Sequence, residues 1–151
     1  MRKSILTFAF CLSLVSLQPA LAVTGETSLV SARRVMDDFM TAFNARDEAA
    51  WAATFNYPHV RFASGAVMIS ENANAVTDRM DFEGFAKATG WDHSAWDQVE
   101  PLDSGKEKVH FKVTFTRYTA KGEKIATYDS LYVVTLVDGH WGIQARSSFA
   151  P

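Results

Sequence analysis

Apolar residues recur at steps of three and four in the first half of the chain and at steps of two in the second. In "SLVSARRVMDDFMTAFNARD", Val35 or Met36, Phe39, Met40 and Phe43 form one stripe, with Arg33, Arg34, Asp37, Asp38 and Ala42 mostly on the other side. That period predicts a helix, capped by Ser28 or Thr27 and ending between Asn44 and Asp47. Asp47 is placed to cap a second, alanine-rich helix, "EAAWAATF", which Pro58 is expected to stop. A third helical stretch is expected over residues 75–89, with Val76, Met80, Phe82 and Phe85 as its apolar side and Gly90 as its terminator.

The period changes at His59. Residues 59–63 and 66–70 flank Ser64-Gly65, the sequence of a tight hairpin turn. Pairing across it sets Val60 and Phe62 beside Ile69 and Val67 on one face, and His59 and Arg61 beside Ser70 and Met68 on the other. "SAWDQVEPL" predicts a further strand that turns at Asp103-Ser104-Gly105. Three more strands follow, "KVHFKVTFTRY", "KIATYDSLYVVTLV" and "HWGIQARSSF", joined at Lys121-Gly122 and Asp138-Gly139. Two-residue turns set the register by counting. Phe115 falls opposite Tyr128, Phe111 opposite Tyr132 and Val109 opposite Val134. Across the second turn Leu136 meets Trp141, Val134 meets Ile143, Tyr132 meets Ala145 and Tyr128 meets Phe149. One face then collects Val109, Phe111, Val113, Phe115, Tyr128, Tyr132, Val134, Trp141, Ile143 and Phe149. The other carries His110, Lys112, Thr114, Thr116, Asp129, Gln144 and Arg146, interrupted by Leu131 and Val133. A sheet with one apolar face must cover it, and the three helices are the available lid, so the class is α+β.

The ends change this picture. "MRKSILTFAFCLSLVSLQPALA" has a basic start, an apolar run from Ile5 to Leu17 and an Ala20-Leu21-Ala22 exit, the layout of a secretory signal cleaved after Ala22. The run is shorter than the ~20 residues of a membrane span. The expected products are a signal at 1–22 and a single domain at 23–151, bound for the periplasm or beyond, with no membrane span after cleavage. Cys11 is the chain's one cysteine and leaves with the signal, so no disulfide staples the domain. A formal net charge of −2, without a basic cluster, argues against nucleic acid as a partner.

The order helix, short helix, hairpin, helix and long antiparallel meander resembles the NTF2-like superfamily, in particular its SnoaL-like and ketosteroid-isomerase-like branch. The resemblance is carried by "FMTAFNARDEAAWAATFNYPHVRFASG" and "VVTLVDGHWGIQARSSFAP", and extends from Ser28 to Pro151. It implies a curved antiparallel sheet wrapped on three helices into an open cone, with a small apolar ligand at the mouth and a homodimer built on the outer sheet face. The isomerase branch places an aspartate base at the start of the first strand. Here that place holds His59 and Arg61, so the isomerase constellation does not transfer, and fold alone supplies no activity.

Candidate chemistry is confined to a few side chains. His59 is suited to exchanging a proton, and Arg61 to holding a carboxylate or enolate oxygen. Because Val60 and Phe62 take the other face, the pattern favours a solvent-facing position for this pair. Trp91, Asp92, His93, Trp96 and Asp97 cluster after the third helix, where they either recognise a ring-shaped ligand or plug the open end of the core. Tyr57, Tyr128 and Tyr132 offer hydroxyls to a ligand or to protein carbonyls. The catalytic candidates are therefore His59, Arg61 and His93; the ligand-binding ones are Tyr57, Trp91, Trp96, Tyr128 and Tyr132. The four histidines lack zinc-ligand spacing, and there is no P-loop, dinucleotide fingerprint or G-x-S-x-G elbow, so neither metal nor cofactor is expected. The leading expectation is a small-molecule binder. The alternatives are a cofactor-independent isomerase, dehydratase or hydrolase, and a dimerisation module without ligand.

Overall fold

The computed structural model describes residues 23–63 and 65–150. The predicted signal segment lies outside the described residues. Four helices precede or interrupt six strands: α1 (Val23–Ala45), α2 (Glu48–Ala53), β1 (Phe55–Ala63), β2 (Ala66–Ser70), α3 (Ala73–Thr77), α4 (Phe82–Thr89), β3 (His93–Ser104), β4 (Lys108–Tyr118), β5 (Lys124–Val137) and β6 (His140–Ser148). The strands form one curved sheet in the order β2-β1-β6-β5-β4-β3. All neighbours are antiparallel except β1 and β6, which run parallel. The sheet is therefore mixed, because β1 enters from the helical half and closes on the last strand. None of the described helices is long and apolar enough to cross a membrane.

The stripe on α1 is the core-facing one: Val35, Met36, Phe39 and Met40 are buried against the sheet, together with Ala32 and also Ala42, which the helical period alone had set on the far side. Phe39 packs on Trp51, Phe55, Trp96 and Tyr132 with ring centroids 5.7–6.2 Å apart. The helix starts upstream of the expected cap, and Ser28 instead donates from Oγ to the Lys106 carbonyl in the β3–β4 turn at 2.9 Å. Asp47 does cap α2, accepting from the Ala50 amide at 2.9 Å. The third helical stretch is two helices, because Asp81 accepts from the Gly84 amide and starts α4 afresh. Pro58 does not end α2; it lies inside β1, after a cis peptide bond with Tyr57.

The meander pairs as counted as far as Val134. Phe115 meets Tyr128, Phe111 meets Tyr132 and Val134 meets Ile143. Asp138 (φ 50°) and Gly139 (φ 82°) both take the left-handed conformation that a two-residue hairpin turn requires. Beyond that point β6 carries a bulge. Val133 pairs with Ala145 and Tyr132 with Arg146, so Gln144 is an extra residue without a partner on β5. The expected pairs Tyr132–Ala145 and Tyr128–Phe149 are therefore not formed. Phe149 is exposed rather than part of the apolar face.

Strand β1 holds the bulge in place. Ile143 donates its amide to the Thr54 carbonyl, Gln144 donates Nε2 to the Pro58 carbonyl, and the Ile143 carbonyl meets His59 Nδ1. Gly142 is obligatory at the contact, since a Cβ there would lie 2.8 Å from the Asn56 nitrogen and the Phe55 carbonyl carbon. Neither atom belongs to a side chain that can swing aside. Gly142→Ala is expected to lower the free energy of unfolding by about 1–3 kcal/mol, the usual cost of overpacking. Urea unfolding of the two proteins measures it, and an unchanged midpoint would mean that the two strands do not approach this closely.

Candidate functional site

Arg146 stands directly opposite Tyr132 and so points to the concave side of the sheet. On the other flank of β6 it pairs in parallel with Arg61, which shares that side. Sequence alternation alone assigns Arg146 to the outer face and favours solvent for His59 and Arg61. The structure reverses each assignment: the bulge turns Arg146 inward, and His59 and Arg61 share the parity of buried Phe55. His59 is 3% exposed, whereas Val60's neighbour Phe62 is 47% exposed and Val67 and Ile69 stand out with it. A third guanidinium joins from β4, where Arg117 has the parity of Phe111, Val113 and Phe115 and is 8% exposed.

Three adjoining spaces open between these side chains and the helices, with volumes of about 40, 100 and 130 Å³. Arg61 and Arg146 border all three, and Arg117 borders two. The walls are aromatic. Arg146 lies 5.4–5.6 Å from the ring centroids of Phe39, Trp51 and Phe55. Arg117 lies 4.9 Å from Phe85 and 5.0 Å from Tyr128, with which it also hydrogen-bonds. Among the described residues, no carboxylate forms an ion pair with Arg117 or Arg146, and the buried Nε of each lacks a hydrogen-bond partner. The end of the chain crosses one rim, with Ala150 buried against Met40 and Phe115.

The electrostatics follow from burial and from these like charges. Desolvation, then the neighbouring Arg146 charge, lowers the Arg61 pKa to about 10. Arg117 is lowered first by burial, and Arg146 adds to it. The effect on His59 is larger: burial, then Arg146, pushes it down to about 3. Its Nδ1 faces the Ile143 carbonyl at 3.0 Å, and a carbonyl only accepts, so Nδ1 carries the proton of the neutral ring. Nε2 is left as a buried lone pair without a partner among the described residues. Arg79 borders the same space and donates to the Ile69 carbonyl at 3.0 Å.

The other sequence candidates separate into two groups. Trp96 and Tyr132 line the space, and Tyr128 stacks at its edge on Arg117. Trp91 does not: it is 2% exposed, buried among Phe43, Phe82 and Phe85, and its Nε1 donates to Ser94 Oγ. It plugs the core. Tyr57 gives its hydroxyl to the Ala52 carbonyl at 2.7 Å, and burial raises its pKa to about 12. His93 is half exposed, paired with Asp92 and stacked on Tyr118. Arg117 and Arg146 were missed. The signal for Arg117 was present, a lone charge at an apolar parity of "KVHFKVTFTRY"; the bulge that turns Arg146 inward leaves no mark in the alternation.

A curved α+β cone with a cationic, aromatic-walled interior defines the class. Residues 27–148 match the family described as NTF2-like protein (DUF6841), and the chain belongs to it. No curated protein sequence matches the chain. Among solved structures, an NTF2-like protein with a cystatin-like fold from Novosphingobium aromaticivorans superposes with a TM-score of 0.67 at 9% identity, covering 82% of each chain. An NTF2-like protein of unknown function from Pseudomonas putida KT2440 gives 0.66 at 14% identity, over 85% of this chain and 89% of that one. A ketosteroid isomerase-like protein from Erwinia carotovora atroseptica gives 0.57 at 18%, over 82% and 98%. At these identities the likeness concerns the fold.

His59 supplies a direct test of the interior. Its folded pKa of about 3 lies below the ordinary 6.5, so the unfolded chain binds the proton more readily. The stability contributed by the neutral ring is complete above pH 6.5 and is lost as the pH falls towards 3, by at most about 1.4 kcal/mol per pH unit. His59→Asn keeps a donor for the Ile143 carbonyl and cannot titrate. Denaturant unfolding at pH 7 and pH 5 is expected to show the parent losing more stability than the variant. Equal losses would place the His59 ring in water.

Proposed function

We propose that this is an exported NTF2-like domain of the SnoaL-like and ketosteroid-isomerase-like branch that binds a small apolar or aromatic molecule inside its cone. The observation that carries this reading is the space between α1 and the meander, walled by Phe39, Trp96, Phe115 and Tyr132. Export rests on the signal-like first 22 residues. Binding is favoured over catalysis because His59, with a pKa of about 3, is a weak base in the free protein. A thermal-shift screen with steroid-, polyketide- and aromatic-acid-like compounds tests the reading. A ligand at a hundred times its Kd is expected to add about 2.7 kcal/mol to stability. Melting temperatures that stay flat across the whole panel would remove it.

A second reading concerns assembly. Ile69, Val60, Ala145 and Val133 lie in register across four strands, as do Val67, Phe62, Ser147 and Leu131. Phe62, Val67, Ile69 and Leu131 are each exposed, forming an apolar patch on the convex face. We propose that this face pairs two copies of the chain. Light scattering at micromolar concentration is expected to give a dimer, and Phe62→Asp a monomer. A monomeric parent protein would exclude the pairing.

A further inference from the structure

We infer that the molecule bound in the cone is a small organic anion, with Arg61, Arg117 and Arg146 holding its carboxylate or phosphate and the aromatic walls holding its apolar part. The inference rests on the cone being a small-molecule site and names the class of ligand. Its basis is the arrangement of the charges. Arg61 and Arg146 are direct neighbours across parallel strands, where like charges repel. Arg117 borders the same space from β4. A buried cation ordinarily comes with an anion, and neither Arg117 nor Arg146 has a carboxylate partner among the described residues. The rings beneath Arg146 and Arg117 offer cation–π attraction, which orients a guanidinium while leaving part of its N–H edge unused; Arg117 gives another part to Tyr128. That unused edge includes the Nε of both residues.

The donor type also discriminates. Guanidinium presents parallel N–H groups that match the two oxygens of a carboxylate or phosphate. His59 adds a lone pair at Nε2, which accepts from a hydroxyl or from a protonated acid oxygen and would repel a second bare oxygen. The neighbouring surface is aromatic. Phe39 and Trp96 are stacked at 25°, and Phe115 and Tyr132 each stand nearly perpendicular to Trp96. A hydrophobic anion satisfies both halves of this lining, and a neutral ring satisfies one.

Calorimetric titration with benzoate, phenyl phosphate and benzamide separates the possibilities, because the three share a ring and differ in charge. Benzoate or phenyl phosphate is expected to bind at least about tenfold more tightly than benzamide, and the tighter of the two anions identifies the carboxylate or phosphate source. Arg117→Gln and Arg146→Gln are each expected to weaken the anion about tenfold, with Arg117→Lys intermediate. Circular dichroism melts check that each variant is folded; should a Gln variant fail to fold, the corresponding Lys variant and the salt dependence of the parent carry the comparison. Benzamide binding as tightly as the anions would overturn the inference, as would Gln variants that bind them undiminished. If only neutral members of the broader panel bind, the charge assignment falls and the small-molecule reading stands. If nothing in either panel binds, both fall.

Discussion

Gly142 sits two residues before the β6 bulge, at an approach to β1 that no larger residue fits. Asn56 fastens the same junction from β1. Its Nδ2 donates to the Thr135 carbonyl at 2.9 Å, and its Oδ1 meets His140 Nδ1 at 2.8 Å, tying three strands through one buried amide. Because side chains alternate along a strand, one inserted residue reverses everything beyond it. Arg146 and Ser148 turn inward after the bulge. β1 pairs with the shifted part of β6, and His59 and Arg61 share the inward side with them. The site thus depends on the register in which β6 meets its neighbours, together with Arg117 from β4.

What that contact brings together is unfavourable by itself. Guanidinium groups lose hydration on entering the cone, and each raises the cost of the others, which is why Arg61 is held at about 10. His59 responds by staying neutral, so the interior gains no further charge at physiological pH. Stacking on Phe39, Trp51, Phe55 and Phe85 offsets part of the cost, on the order of 0.5–2 kcal/mol per contact. Arg117 also gains a hydrogen bond to Tyr128. Neither Arg117 nor Arg146 meets a carboxylate among the described residues, and the anion proposed above would supply that missing charge.

The sequence showed the scaffold more fully than the site. The α1 stripe, the cap at Asp47, the pairing of β1 with β2 and that of β4 with β5 all follow from local period and turn chemistry, which act over a few residues. The parallel pairing of β1 with β6 was not legible, because it joins residues some ninety positions apart and no turn fixes it. The helix break at Asp81 was masked by the apolar period of Met80, Phe82 and Phe85, which continues across the new cap. Parity placed Tyr132 on the interior face, whereas for Trp91 and Trp96 the sequence left wall and plug open: Trp96 lines the cavity, and Trp91 belongs to the core because α4 and Phe43 close over it. Aromatic character does not distinguish a wall from a plug; neighbours do.

The register without the bulge is the informative comparison. It would turn Val60 and Phe62 into the apolar interior and Arg61 and Arg146 out to water, satisfying each by ordinary solvation. Burial of a valine or phenylalanine is worth about 1.5–3 kcal/mol per side chain, so simple patterning favours that alternative. The chain nevertheless commits a glycine, a buried asparagine and several strand-to-strand hydrogen bonds to hold the opposite arrangement. The two faces of β1 are outcomes of one choice: the step that puts guanidinium groups inside the cone puts Phe62, Val67 and Ile69 on its surface. The proposed anion on the inner face and the proposed second copy on the outer would each offset what this register gives up. A ligand that fixes Arg61 therefore also fixes the strand carrying Val60 and Phe62, and couples the cone interior to the convex face through a single layer of backbone.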